Sequence, residues 1–130
     1  ILVEIDNYVD ELDKNCDFLR AFPKEPSFQS SWFVKMQNQG HLTSHIHETG
    51  WLSGVVYLKI PDNQLDNDGK IQFGIDGDSY PNTDVTYPKK ILDINEGDIV
   101  LFPSSVFHQT IPFKSKSERI CIAFDISPPS

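Results

Sequence analysis

Between residues 5 and 22 the apolar positions Ile5, Tyr8, Val9, Leu12, Cys16 and Leu19 recur at three- and four-residue intervals, with acids and lysine between them. That spacing keeps one face of a 3.6-residue helix apolar, and it predicts one amphipathic helix packed on the outside of a sheet. Pro23 and Pro26 end it and open a connecting loop. After Ser27 the pattern turns to short β-branched and aromatic runs: 32–36, 55–60, 70–75, 99–102, 106–112 and 119–126 read as strands. Turn-formers separate them at 37–40, 95–98, 103–105 and 114–118. Residues 76–90, rich in Asp, Gly, Pro and Asn, predict a long loop with one brief strand at 85–87; long loops often carry function. Six to eight short strands after one helix predict a mainly β protein, a sandwich or jelly roll, organised as a single domain over 1–130.

Composition narrows the partners. A chain of 130 residues with nine Phe, two Trp and four Tyr has the length and apolar content for a packed core. Its net charge of -8, without a Lys/Arg cluster, argues against a nucleic-acid partner. No apolar stretch approaches a membrane span and no charged leader precedes an apolar segment, so no membrane partner and a cytoplasmic location are expected. Cys16 falls in a helix-like segment and Cys121 in a strand-like one; both are expected as free thiols of a reducing compartment. Position 1 is Ile rather than Met, which is compatible with a piece of a longer chain.

The candidate chemistry concentrates in Gly40-His41-Leu42-Thr43-Ser44-His45-Ile46-His47-Glu48. Side chains two apart in an extended segment share a face, so His45 and His47 can aim two imidazoles at one point. His108 follows a buried strand and a turn, and a jelly roll can bring it to the same place. Three neutral imidazoles suit Fe(II), Zn, Cu or Ni better than Mg or Ca. The spacing alone is equally that of exposed loop histidines; His41 reads as a surface residue and Glu48 as an extra or replacement ligand. In the last strand Ile120, Ile122, Phe124 and Ile126 alternate with Arg119, Cys121, Ala123 and Asp125. The second face begins with a charge and continues with small side chains. It reads either as a cavity with Arg119 ready to grip a carboxylate through two parallel hydrogen bonds, or as an exposed Arg beside Glu118.

Taken in order, His45-x-His47, Leu52-Ser53-Gly54-Val55-Val56-Tyr57-Leu58, Gly97-Asp98-Ile99-Val100-Leu101-Phe102-Pro103-Ser104 leading to His108, and Glu118-Arg119-Ile120-Cys121-Ile122-Ala123-Phe124 resemble the successive motifs of the Fe(II)/2-oxoglutarate-dependent oxygenases. The match is nearest to a prolyl-hydroxylase-like branch with a His-x-His motif, and it covers Trp32 to the C-terminus. The resemblance implies a double-stranded β-helix with iron inside its open end, and a dioxygenase that hydroxylates a substrate while decarboxylating 2-oxoglutarate to succinate. It makes His45 and His108 iron ligands, with His47 standing where most of the superfamily has Asp or Glu. It assigns Arg119 and Tyr57 to the distal carboxylate of 2-oxoglutarate, with Ser53 lining the pocket and Asn38, beside Gln37, contacting the keto-acid end. Cys121 stands where relatives commonly have Ser. The implied partners are 2-oxoglutarate, O2 and an unidentified substrate, a peptidyl side chain being preferred, with Trp51 and the 76–90 loop framing its entrance.

Two other readings share the barrel. A cupin-type metalloprotein would need a glutamate shortly after the second histidine, where the chain has Gly50-Trp51-Leu52, and a Gly and an Asn where it has Ser105 and Pro112. A non-catalytic jelly roll that binds a protein or small ligand is the third reading, kept open by His in place of Asp.

Overall fold

The computed structural model describes residues 1–62, 65–83 and 86–129. Eight strands among them form two four-stranded antiparallel sheets. One runs β1 (Phe28–Met36), β8 (Arg119–Ile126), β3 (Leu52–Lys59), β6 (Ile99–Pro103), and the other β2 (Leu42–His45), β7 (Phe107–Thr110), β4 (Ile71–Gly74), β5 (Lys90–Leu92). Apart from β4 and β5, neighbours in space are remote in sequence, as in the expected jelly roll. Tyr57, Ile71, Phe102 and Cys121, from strands of both sheets, form the core between them with Ile94, which follows β5.

β8 lies between β1 and β3 and has the predicted bounds, because its alternation serves two cores at once. Phe124 and Ile126 face outward and pack with Leu52 and Ile5, while Arg119, Cys121 and Ala123 face the cavity between the sheets. Gly54 of β3 completes this outer layer. A Cβ there would lie 2.2 Å from Phe124 Cζ, so the ring rests directly on bare backbone.

The N-terminal helix packs outside the β8 sheet, as expected, but it is two helices. α1 (Leu2–Glu11) buries Ile5 completely, and α2 (Asp17–Arg20) follows after a break. Leu12 is extended, and Asp13 Oδ1 accepts the Asn15 N–H at 2.9 Å. Asp and Asn side chains here offer the backbone a turn in place of the next helical bond, which apolar spacing does not register. Two further differences concern strands. β2 turns the end of the histidine stretch into a ladder with β7, and β5 forms at Lys90–Leu92, where the sequence marks the end of a loop. Of the brief strand expected at 85–87, Val85 lies outside the described residues, and Thr86 and Tyr87 are not in a strand. Among the described residues, no helix is long and apolar enough to cross a membrane.

Candidate metal centre

The β2–β7 ladder sets His45 directly opposite His108, where facing side chains on one sheet surface stand within contact distance. Their ring centroids are 4.3 Å apart. His47 lies just beyond β2, pinned by its N–H donating to the Ser104 carbonyl at 3.0 Å, and its ring stands 4.9 Å from that of His108.

Each ring is held by the nitrogen that faces away from the cluster. His45 Nδ1 lies 2.7 Å from the Thr43 carbonyl oxygen, and His108 Nδ1 lies 3.0 Å from that of Val106. His47 Nδ1 lies 2.7 Å from Asp125 Oδ1. Carbonyl and carboxylate oxygens accept, so each Nδ1 carries the proton and donates it, and in a neutral ring Nε2 is then a bare lone pair. The Nε2 atoms of His45 and His47 stand 3.3 Å apart, and the three rings' ligand atoms all lie within 4.8 Å of one another. Metal–nitrogen bonds of about 2.1 Å meeting at angles of about 90–110° hold their nitrogens about 3.0–3.4 Å apart. The His45–His47 pair therefore has the spacing of two ligands of a first-row transition ion, and all three rings have its donor type.

Burial keeps the His108 donor available. Behind His108 stand Phe102 and Phe73, with ring centroids at 4.6 and 6.4 Å. Desolvation pushes its pKa down to about 4, and the neighbouring histidines push the same way against the Val106 carbonyl. Burial would raise the Asp125 carboxyl, but hydrogen bonds from His47 and Ser53 outweigh it and hold the group below its ordinary value.

The other end of the cavity is cationic. Arg119 is 2 % exposed, donates Nε–H to the Gly69 carbonyl at 2.9 Å and approaches Cys121 Sγ with Nη1 at 3.5 Å. Among the described residues no carboxylate pairs with it. Tyr57 lies under the guanidinium, 5.0 Å from ring centroid to Cζ. Its hydroxyl is buried without a well-formed hydrogen bond, and desolvation, partly offset by Arg119, pushes its pKa up to about 12. A buried cation without a counter-charge and a buried hydroxyl without a well-formed hydrogen bond are costly unless something anionic joins them. Between the two ends, Val34, Val55, Ile71 and Ala123 line the cavity, with Leu42 and a partly exposed Trp32 also on its wall.

The structure thus brings His45, His47, His108, Tyr57 and Arg119 to one cavity, and leaves other candidates out of its lining. Ser53 is buried behind His47, with Oγ 2.6 Å from Asp125 Oδ1 and 2.8 Å from Ser104 Oγ, so it braces the site without lining it. Asn38 is turned to the 114–118 loop, where its Oδ1 accepts the Ser115 N–H at 3.2 Å; Gln37 borders the same surface hollow. Glu48 points away from the cluster and accepts a hydrogen bond from the Tyr80 hydroxyl in the 76–90 loop. His41 is exposed, and Trp51 stacks on Phe18 at 5.4 Å, away from the cavity wall. The residue missed by sequence reasoning is Asp125. Its signal was present, because it shares the Arg119 face of β8 at even spacing.

A family model described as "Putative 2OG-Fe(II) oxygenase" matches residues 30–125. No curated protein matches the chain. Solved structures share its fold at low identity. An oxidoreductase of the 2OG-Fe(II) oxygenase family from Burkholderia pseudomallei is 13% identical with a TM-score of 0.62, over 84% of this chain and 48% of that one. The viral collagen prolyl hydroxylase of Paramecium Bursaria Chlorella virus-1, solved as its 2OG complex, is 14% identical with a TM-score of 0.63, over 98% and 70%. HygX from Streptomyces hygroscopicus, with nickel, 2-oxoglutarate and hygromycin B bound, is 14% identical with a TM-score of 0.60, over 95% and 64%. The chain spans about half the length of the Burkholderia protein. The family match runs from β1 through the whole histidine cluster to Asp125 near the end of β8, and on it the chain belongs to the 2OG-Fe(II) oxygenase family.

Proposed function

We propose that this chain is a non-haem Fe(II)- and 2-oxoglutarate-dependent dioxygenase that hydroxylates a carbon of a peptidyl side chain while 2-oxoglutarate and O2 give succinate and CO2. One arrangement carries the reading: a buried arginine, without a paired carboxylate among the described residues, closes the same cavity that offers three imidazole lone pairs.

In this reading His45, His47 and His108 hold the metal, and His108 stays neutral and ready to bind throughout the physiological range. Arg119 takes the distal carboxylate of 2-oxoglutarate in its fork, and the Tyr57 hydroxyl, still protonated at neutral pH, donates a further bond to it. The apolar walls exclude water and strengthen both contacts. Bound iron supplies the redox chemistry that activates oxygen, and the protein's part is orientation and protection.

Two observations support a peptidyl substrate. Trp32, on the cavity wall 5.3 Å from His47, is part of β1, which is an edge strand; its free side is a template for an extended chain. The viral fold relative is a collagen prolyl hydroxylase. Against them stands HygX, crystallised with hygromycin B, which makes an aminoglycoside the control.

The test is succinate formation from 2-oxoglutarate under air with added Fe(II), with and without a panel of proline-containing peptides or an aminoglycoside. Expected are iron-dependent turnover that peptides stimulate, and none in His108→Ala. Absence of turnover at any iron loading, in protein that still binds metal and 2-oxoglutarate, would establish a binding module instead.

A further inference from the structure

The ligand set carries a deficit. Two histidines and a carboxylate place one negative charge beside Fe(II), whereas three neutral imidazoles place none. Resting on the reading of these histidines as the metal's ligands, we propose that Asp125 is a positioning residue that supplies the missing charge through His47.

Of the three rings, His47 alone is backed by a carboxylate; His45 and His108 donate to backbone carbonyls. His47 is also the position where the superfamily usually has its acid. Asp125 is 5 % exposed and Ser53 and Ser104 1 % each, so water does not screen the contact. The proton count around Ser53 fixes the polarity of the network. Its Oγ stands 2.6 Å from Asp125 Oδ1, 2.8 Å from Ser104 Oγ and 3.1 Å from His47 Nδ1, but it has one proton. The short, charge-assisted bond to Asp125 takes that proton, and Ser104 then donates to Ser53. Asp125 Oδ1 thus receives two donors, Ser53 Oγ–H and His47 Nδ1–H, which is a receptacle built for an anion. Gly50 keeps the space for it: a Cβ there would meet Ser104 Oγ at 2.6 Å and Asp125 Cγ at 3.2 Å.

A carboxylate on the Nδ1–H of a ligating histidine fixes the ring's tautomer and orientation and makes its Nε2 the stronger donor. His47 and Asp125 together then carry the charge of the expected acid, with the carboxylate one imidazole further from the metal.

The experiment is anaerobic titration of the whole chain with Fe(II), and with Co(II) as a spectroscopic probe. Asp125→Asn is expected to weaken metal binding by roughly 10- to 100-fold, the usual effect of losing such a partner. The double variant His47→Asp/Asp125→Asn is expected to recover it, because the acid is now a direct ligand and the amide donates to it. His47→Asp alone, with Asp125 intact, is expected to bind metal less tightly than the double variant, since it sets two carboxylates together. Asp125→Asn binding metal within twofold of wild type, or a double variant no better than Asp125→Asn, overturns the inference. Wild-type protein that binds neither ion overturns the histidine reading itself. Should Asp125→Asn not fold, the ring 1H–15N spectrum of the metal-free wild type decides: Nδ1–H on His47 is expected, and an Nε2–H tautomer there refutes the relay.

Discussion

The two ends of the cavity treat buried charge in opposite ways. At one end Arg119, 2 % exposed, has a backbone carbonyl and a thiol for company and, among the described residues, no acid. At the other Asp125, 5 % exposed, accepts from Ser53 and His47, and through them the network reaches Ser104. An ion that the protein has not neutralised is kept for something that arrives, whereas an ion met by protein donors holds its neighbours in place. The first is read as a ligand site and the second as scaffolding for one.

The difference has consequences of opposite sign. Arg119→Met is expected to reduce 2-oxoglutarate affinity by at least about 100-fold, the loss of a bidentate charged contact. Ligand-free stability should change by less than about 1 kcal/mol, because an unpaired buried cation leaves with it. Chemical denaturation beside calorimetric titration reads both, and a large destabilisation would mean that Arg119 is structural. Asp125→Ala should do the reverse in the metal-free protein, costing about 2–4 kcal/mol by orphaning Ser53 and His47. If the melting curve does not move, the network is not the brace described above.

The histidine end has a pH signature of its own. In the folded metal-free protein His108 takes a proton only near pH 4, whereas the unfolded chain takes it near the ordinary value of 6.5. The unfolded state therefore binds more protons between those values, and stability should fall as pH drops from about 6.5 to about 4, by up to about 3 kcal/mol. His108→Gln, measured over the same range, should flatten this slope.

Smaller effects sharpen the contrast. Tyr57→Phe removes a hydroxyl without a well-formed hydrogen bond, so ligand-free stability should hold or rise slightly, while 2-oxoglutarate binding weakens by about 3- to 10-fold. Glu48→Gln, tied to Tyr80 outside the cluster, should leave metal affinity unchanged. A loss there would return Glu48 to the ligand set.

Much of this was legible in the sequence because strand periodicity is local. The alternation of β8 set Arg119 and Cys121 on one face and Phe124 and Ile126 on the other, and the structure uses both faces as read. What was not legible depended on contacts across the fold. The role of Asp125 needs His47 from 78 positions away, and the pairing of His45 with His108 needs the β2–β7 register. The family resemblance sets Asn38 against the keto-acid end of the co-substrate, yet its turn carries it to Ser115. The helix break at Leu12–Cys16 was hidden for another reason. Apolar spacing continues across it, while the side-chain bond from Asp13 that stops the helix is invisible to periodicity.

The most direct test of the central claim is equilibrium binding of 2-oxoglutarate without oxygen, measured with and without Fe(II), for wild type and Arg119→Met. Tight binding is expected only when iron and Arg119 are both present, since in the proposed reading the histidine end would hold the metal that takes the keto acid and Arg119 would clamp the distal carboxylate. Binding that is indifferent to iron, or equal in Arg119→Met, would contradict it.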